Sequence, residues 1–445
     1  MQRLTTWVFV LFAVSVPFAP ASANIEGYYD PAFAGSGHEL VDVSASTSDK
    51  GRILRIQTGG KLLMGGTCGT GSLIYFCATR LDASGTKDLG FGPDGTGTIT
   101  FDRFFGQGFP TSDTLGDMLS LSDGRILFLG LGTLAMLNAG GTALDTGSGG
   151  GSGYVGVFGK YALAEQADHK ILAVGYAGRN DASGNVDMVV QRFLPDLSID
   201  TSFGTSGSQS VIFNLGSSSS FATSVALQTN GNIVLGGYVT FTGQPGKSAA
   251  IARLLPNGQL DPAFGGGGPI YQTPYGVEDA ALAVRIDQKG RIVYGGYGAT
   301  DTNFGTRKCL INRLLPNGNQ DFSFNANQPL TFTVPVGANN VACEIVDVAP
   351  QPDGTVLAVG SLLDVYFTAA RLTSSGSFDS TFGASGISYA AFDPSSASST
   401  TTVRSGAMAI GNGLMIAGTN FGSDDQFGIA QLTLTVHIFA NGFDD

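Results

Sequence analysis

Aspartate and arginine recur at a constant spacing along this 445-residue chain, so their chemistry is considered first. A carboxylate can act as a general acid or base, and a guanidinium can stabilise an anion. An active site normally occurs once in a chain, whereas this pair occurs in most of its repeated units, and we therefore interpret it as a structural ion pair. Five arginines each lie eight residues before an aspartate: Arg80 and Asp88, Arg192 and Asp200, Arg253 and Asp261, Arg313 and Asp321, Arg371 and Asp379.

Other residues that commonly carry catalysis occur without a recognisable pattern. The chain has three histidines, and His169 stands where a turn glycine is usual, in "ADHKIL", which indicates a solvated turn. No G-x-S-x-G elbow, phosphate-binding loop or H-E-x-x-H motif occurs. The segment "GRNDASGNVD" (178–187) offers oxygen ligands for calcium but lacks EF-hand spacing, and we interpret it as a turn. The catalytic residues are therefore unknown, and no cofactor and no metal site are predicted.

The eight-residue spacing follows from a turn. In "RLLPNGQLD" the segment 255–258 has proline second and glycine fourth, as in a type I turn. Folding back at this turn places Arg253 roughly opposite Asp261. The aspartate can accept backbone hydrogen bonds two residues on, and the phenylalanine after it is expected to be buried between units. The phenylalanines are Phe33, Phe91, Phe203, Phe264, Phe324 and Phe382.

Seven copies of the aspartate turn divide the chain into units. Asp30 and Asp379 are 349 residues apart over six intervals, which gives a mean period of about 58, typical of a solenoid, propeller or array. Each unit also has two apolar runs around a turn such as Asn230-Gly231, and four strand signals in all. We predict an all-β fold, a seven-bladed β-propeller of four-stranded blades, closed by 38–44 beside 428–436. An open β-solenoid is the alternative.

The motifs "LDPAFGGGG", "LQTNGNIVLGGY" and "IARLLPNG" recur in one order at one period, and together they resemble the delta-60 repeat of exported and surface-associated bacterial proteins. The resemblance covers nearly all of the chain after its first segment. It weakens where "LDTGSGGGSG" lacks the phenylalanine and Met136 replaces the arginine, and where "AIGNG" replaces the usual turn. The resemblance implies an exported repeat protein and no catalytic residues.

Four cysteines predict disulfides, because their number is even and the protein is expected in an oxidising compartment. Cys68 and Cys77 flank a segment that can form a hairpin, so a Cys68–Cys77 bridge is the favoured pairing. Cys309 and Cys343 would then join successive repeats. Two pairs of buried free thiols are the alternative.

The ends of the chain predict export. Residues 1–23 have a basic start, an apolar run and an Ala-Ser-Ala ending, as signal peptides do, with a membrane anchor as the alternative. The propeller then spans 24–436. The tail 437–445, "HIFANGFDD", resembles short F-x-x-G-F endings of exported proteins of Gram-negative bacteria. We expect no transmembrane segment and an extracellular, cell-surface or periplasmic location.

Two functional classes fit this sequence. Its net charge of −12 disfavours nucleic acid, because phosphates would be repelled. We predict a monomeric scaffold that binds protein or glycan through propeller loops, including 239–248 and 297–308. The stretch "FDRFFGQGFP" (101–110) is predicted either to pack in the core or to contact a partner. The alternative is an exported glycan hydrolase or lyase with carboxylates in the central channel.

Overall fold

The structure is a computed structural model. The predicted signal peptide (1–23) and tail (437–445) lie outside the residues that it describes. Those residues are 27–44, 48–70, 73–101, 115–130, 132–179, 183–213, 218–241, 246–273, 276–362, 366–393, 400–402, 413–421 and 424–434.

Seven four-stranded antiparallel sheets form a closed ring, as predicted. Strand β1 spans His38–Val41. Blade 1 has β2 Asp49–Ile56, β3 Leu62–Thr70, β4 Leu73–Leu81 and β5 Thr98–Phe101. Blade 2 has β6 Leu115–Ser120, β7 Ile126–Gly130, β8 Thr133–Leu137 and β9 Tyr154–Gly156. Blade 3 has β10 Lys160–Glu165, β11 Ile171–Gly178, β12 Val186–Phe193 and β13 Ser208–Val211.

The remaining blades repeat this order. Blade 4 has β14 Ser218–Leu227, β15 Ile233–Phe241, β16 Ser248–Leu254 and β17 Ile270–Gln272. Blade 5 has β18 Glu278–Ile286, β19 Ile292–Ala299, β20 Lys308–Leu314 and β21 Leu330–Phe332, followed by a hairpin of β22 Val334–Val336 and β23 Asn339–Val341. Blade 6 has β24 Cys343–Pro350, β25 Val356–Leu362, β26 Tyr366–Leu372 and β27 Ile387–Ala390. Blade 7 has β28 Thr400–Thr402, β29 Gly413–Phe421 and β30 Gln426–Thr433.

The ring closes by pairing the two ends of the described chain. Strand β1 pairs antiparallel with β30, with His38 opposite Ala430 and Val41 opposite Phe427. This is the predicted closure, and it excludes the open solenoid. No α-helix occurs in the described ranges, which contain three single-turn 3-10 helices at Gly149–Gly151, Phe304–Thr306 and Asn325–Asn327. None of these is long and apolar enough to cross a membrane.

The core lies between neighbouring blades. Blades 3 and 4, for example, bury Val174, Val190 and Phe203 against Val225 and Leu235. Middle strands are covered on both faces, so they are apolar almost throughout, and every residue of β16 and β25 is buried. A single unit leaves these faces exposed, and only its neighbours in the ring complete the core.

The predicted Arg–Asp pair exists and reaches further than predicted. Arg192 Nε donates to Asp200 Oδ2 at 2.8 Å, and the guanidinium carbon lies 4.5 Å from the centre of the Phe203 ring. Arg192 Nη1 also donates to the carbonyl of Pro256, in the corresponding turn of the next blade, at 2.9 Å. We call this arrangement the inter-blade clasp. The Arg–Asp pair and the ring contact recur at Arg80, Arg253, Arg313 and Arg371.

The turn glycine completes the clasp. Gly258 has a φ of +91°, and a Cβ built there would lie 2.9 Å from the ring of Phe203. The "LPNG" turn of one blade thus rests on the phenylalanine of the blade before it. Gly204 N also donates to the carbonyl of Asn257 at 2.9 Å. The repeated letters are therefore constrained by contacts between units as well as by the turn itself.

Two clasps use other residues than the regular arginine. Where Met136 replaces that arginine, Arg125 donates to Asp145 at 2.9 Å and to the carbonyl of Pro195 at 3.0 Å. A cation from the neighbouring hairpin thus serves the same aspartate where the regular arginine is absent. At the ring closure, Gln431 Nε2 donates to Asp30 Oδ2 at 2.9 Å.

Both predicted disulfides are present. Cys68 and Cys77 are bonded within blade 1, with their Cα atoms 5.9 Å apart. Cys309 and Cys343 are bonded between β20 of blade 5 and β24 of blade 6, with their Cα atoms 5.0 Å apart.

Replacing Arg253 by Met should lower the free energy of unfolding by about 3 kcal/mol, because it leaves Asp261 buried without its cation. Urea titration followed by circular dichroism measures the change. The double variant Arg253→Met, Asp261→Ala should lose less than the single variant. Lys289→Met, at an exposed lysine, is the control, and an equal effect there would show that the clasp contributes nothing specific.

Candidate functional site

The two ends of the ring differ in what they carry. The hairpins between first and second strands and the clasps lie at one end, here called the turn face. The connections between second and third strands and between blades lie at the other end, here called the loop face. In blade 4, for example, 228–232 and 255–269 lie at the turn face, whereas the described residues 246–247, 273 and 276–277 lie at the loop face. The repeated motifs therefore belong to the turn face and the unit-specific segments to the loop face.

First strands of blades 1 to 6 line the central channel. A cavity of about 760 Å³ lies there, within the usual size range of small-molecule pockets. Each first strand of blades 1 to 6 carries a β-bulge, and a bulge changes the direction of the side chains beside it. The bulged residues are Arg52, Gly116, Tyr161, Thr223, Leu282 and Val346.

Two acids line this cavity among the described residues, Asp117 and Asp347. Arg55, from the preceding blade, donates to Asp117 Oδ1 at 2.6 Å, and Leu163 N, from the following blade, donates to Oδ2 at 2.8 Å. Arg285 pairs with Asp347 in the same way at 2.8 Å. Both carboxylates therefore join neighbouring blades.

Burial raises the pKa of the Asp347 carboxyl above its ordinary value, although Arg285 and Arg55 act in the opposite direction. A buried acid with a raised pKa is a candidate general acid. Its contact with Arg285, and the hydrogen bond that it accepts from Val348 N at 2.9 Å, are also those of a structural pair.

A continuous row of aromatic rings runs over the loop face from the channel. Tyr161 lines the cavity and lies 5.6 Å from Tyr176, measured between ring centres. Phe221 lies 5.2 Å from Tyr176 and 4.9 Å from Tyr238. These four side chains are half-buried. The row crosses from blade 3 to blade 4 and joins residues up to 77 positions apart in sequence.

Charged groups extend the row over blades 5 and 6. The Lys247 ammonium lies 4.6 Å from the Tyr238 ring centre and 5.4 Å from that of Tyr297, and Arg307 lies 3.8 Å from the Tyr297 ring. Glu278 contacts Lys247 at 3.7 Å and Arg307 at 3.3 Å. We call the whole row the loop-face strip. It consists of Tyr161, Tyr176, Phe221, Tyr238, Lys247, Glu278, Tyr297, Arg307 and Glu344.

The second disulfide holds the far end of the strip. Arg307 lies two residues before Cys309, and Glu344 follows Cys343 directly. Cys343 N donates to the carbonyl of Arg307 at 3.3 Å, and the Arg307 and Glu344 side chains pair at 3.1 Å. The covalent link between blades 5 and 6 thus positions this ion pair.

Burial shifts the titration of the strip. It raises the pKa of the Tyr161 phenol to about 12, with further contributions from the nearby Tyr176 and Tyr238 hydroxyls. Burial lowers the pKa of the Lys247 ammonium, against the attraction of Glu278. The Tyr161 phenol is therefore neutral at physiological pH and can both donate and accept hydrogen bonds.

Lys160 occupies a position that is otherwise occupied by small or apolar residues. It lies directly before the bulge of β10 and is only 6% exposed. Its ammonium donates to the carbonyl of Phe158 at 2.9 Å, and burial lowers its pKa to about 8. The equivalent residues of the other described first strands are Gly51, Leu115, Ala222, Ala281 and Ile345.

The loops singled out from sequence contribute to the strip. Segment 239–248 supplies Lys247, and segment 297–308 supplies Tyr297 and Arg307. The strand and channel members Tyr161, Tyr176, Phe221, Tyr238, Glu278 and Glu344 were missed. Tyr176 and Tyr238, like Tyr297, directly follow the glycine that ends the second apolar run of their units, and this shared position could have indicated them. The other four come from four different blades and share no such pattern.

The other segments singled out from sequence have structural contacts in their described residues. In the segment 178–187, interpreted as a turn, Asp187 accepts a hydrogen bond from Arg179 Nε at 3.0 Å, and residues 180–182 lie outside the described ranges. Phe101 is buried, with its ring 5.0 Å from that of Phe128, while 102–110 are not described. His169 has a φ of +62° in an exposed turn, as its sequence context predicts.

Comparison with known proteins supports a propeller repeat. Residues 166–203, 228–264 and 351–382 match the family described as "Domain of unknown function (DUF5122) beta-propeller". No curated protein matches the chain. Two similar solved structures, each 12% identical, are polysaccharide lyase Uly1 (94% of this chain, 95% of that chain, TM-score 0.48) and Penicillium chrysogenum α-L-arabinanase with arabinobiose (92%, 97%, TM-score 0.44). These likenesses are too distant to carry an activity over to this chain.

Replacing Lys160 by Met should stabilise the protein by about 1–2 kcal/mol at pH 7, because it removes a buried charge. The folded pKa of about 8 lies below the ordinary value of 10.5, so the unfolded chain binds the proton more tightly. The gain is therefore complete below pH 8 and disappears as the pH rises to 10.5.

Urea titrations at pH 7 and pH 10 measure this difference. Lys50→Met, at an exposed lysine of β2, is the control. A Lys160→Met variant less stable than the parent at pH 7 would show that the ammonium has a stabilising partner that outweighs its burial.

Proposed function

We propose that this protein is an exported propeller that holds a protein or glycan partner on its loop face and does not catalyse a reaction on it. The observation that carries the proposal is the division between the two faces. The repeated polar residues of the turn face are bound within the clasps, whereas the loop face carries unit-specific segments and the strip. Loops on a rigid scaffold are where binding residues concentrate.

The channel supports this proposal through its described acids. A glycoside hydrolase needs two carboxyl groups that flank the bond to be cleaved, one to donate a proton and one to act as base or nucleophile. Asp117 and Asp347 each contact an arginine and at least one backbone amide. Releasing either carboxyl group for catalysis would break a contact that joins neighbouring blades, which opposes its use as an acid, base or nucleophile.

Export is the second part of the proposal. The two disulfides are consistent with an oxidising compartment, and the signal-like start of the chain predicts removal of residues 1–23. The protein recovered outside the cytoplasm should then begin at Asn24.

The test is a turnover screen with the exported protein, after N-terminal sequencing has shown that it begins at Asn24. Glycosidase, lyase, esterase and phosphatase substrates should give no turnover above that of an Asp117→Asn, Asp347→Asn double variant. The double variant is checked for folding by circular dichroism. Robust turnover that the double variant loses would replace the binding function by an enzyme with a channel site. An N-terminus at Met1 in the cytoplasm would overturn the export proposal.

A further inference from the structure

Phe158 is a large apolar side chain that the fold leaves exposed to solvent. It is 81% exposed, the largest exposure among the described large apolar residues. It lies in the connection from blade 2 to blade 3 on the loop face, three residues before Tyr161. The neighbouring Gly159 accepts a hydrogen bond from Tyr176 N at 2.7 Å, which holds this connection beside the strip. Phe158 therefore adds an accessible aromatic ring next to a row of half-buried ones.

The strip combines aromatic surface with balanced polar groups. Three phenol hydroxyls, on Tyr161, Tyr176 and Tyr238, can each donate and accept. Lys247 and Arg307 carry two positive charges, and Glu278 and Glu344 carry two negative charges. The strip is therefore neutral as a whole, so its charges favour neither a polyanion nor a polycation.

The chemistry of a neutral sugar matches this surface. A sugar ring has an apolar C–H face that can lie on an aromatic ring, and hydroxyls that both donate and accept hydrogen bonds. We propose that the loop-face strip, with Phe158 at its edge, binds a neutral polysaccharide. This inference rests on the proposed binding function and specifies its partner.

A protein partner and an acidic glycan fit less well. Stable protein interfaces bury upwards of about 1,000 Å² around an apolar centre. Among the described rings of the strip and its edge, Phe158 alone is strongly exposed, and the strip beside it carries charged and phenolic groups. An acidic polymer would be repelled by a chain with a net charge of −12.

Affinity electrophoresis tests the proposal with the full exported protein. Native gels contain one soluble polysaccharide each: arabinan, xyloglucan, galactomannan, mixed-linkage β-glucan and dextran as neutral probes, alginate and polygalacturonate as acidic ones. We expect retardation by at least one neutral probe and by neither acidic probe.

Matched variants locate the site. Phe158→Ala should weaken the retarding interaction about tenfold, because it removes an exposed ring without disturbing the core. The double variant Tyr161→Phe, Tyr238→Phe keeps both rings, removes two hydroxyls and should also weaken binding. Phe322→Ala is the control, because Phe322 is 73% exposed but lies in a turn-face loop, and it should bind as the parent does. Thermal melting shows that each variant is folded.

The outcomes separate this inference from the function on which it rests. If no neutral probe retards the protein, or if Phe158→Ala and Phe322→Ala behave alike, the glycan inference is wrong. If a purified protein then binds the parent and Phe322→Ala but not Phe158→Ala, the loop face is still a binding surface and only the class of partner was wrong. If a probe still retards Phe158→Ala and the Tyr161→Phe, Tyr238→Phe double variant but no longer retards Asp347→Asn, the site lies in the channel and both proposals fail.

Discussion

The inter-blade clasp is the interaction on which this ring depends. A guanidinium buried between two blades is unfavourable unless its charge is paired and its donors are used. In each regular clasp the aspartate supplies the charge and the phenylalanine ring covers one face of the cation. At Arg80, Arg192, Arg253 and Arg313 a carbonyl of the next blade also accepts a remaining N–H. The Arg–Asp pair brings together the two arms of one turn, and the contact with the next blade connects successive units. The period of the sequence is therefore the period of this contact.

The clasp also explains where variation is tolerated. Turn-face residues are constrained both by the turn that they form and by the neighbouring blade. The turn of Gly258, for example, packs directly against the ring of Phe203. First strands are constrained by their bulges and by pairs such as Arg55 with Asp117. The described part of the loop face repeats no Arg–Asp–Phe clasp, although a backbone contact between blades recurs there, with Asp49 N donating to the Asp425 carbonyl at 3.0 Å and Asp279 N to the Lys247 carbonyl at 2.8 Å. Functional specificity is expected where the fold imposes the fewest demands.

Sequence alone predicted the blades, their number, the closing strand and the Arg–Asp pairs, because each depends on local spacing that recurs from unit to unit. It did not predict the substitute at Arg125, which lies 20 residues before Asp145 and comes from another hairpin. It also did not predict the strip, since Tyr161 and Glu344 meet one surface only through the ring. Lys160 was missed for a similar reason. Its sequence neighbours do not show that it occupies a position that is otherwise occupied by small or apolar residues.

Native-state hydrogen exchange of the free protein tests most directly whether the ring is held from its turn face. Asp261 and Gly265 donate amide hydrogen bonds within and between clasps at 3.0 and 2.8 Å, while Lys247 and Val277 donate comparable bonds of 3.0 Å at the loop face. Exchange rates report the free energy of the opening that exposes each amide. The account predicts that the amides of Asp261 and Gly265 exchange more slowly than those of Lys247 and Val277, by about tenfold or more. Equal protection of the two pairs, or slower exchange at Lys247 and Val277, would contradict it.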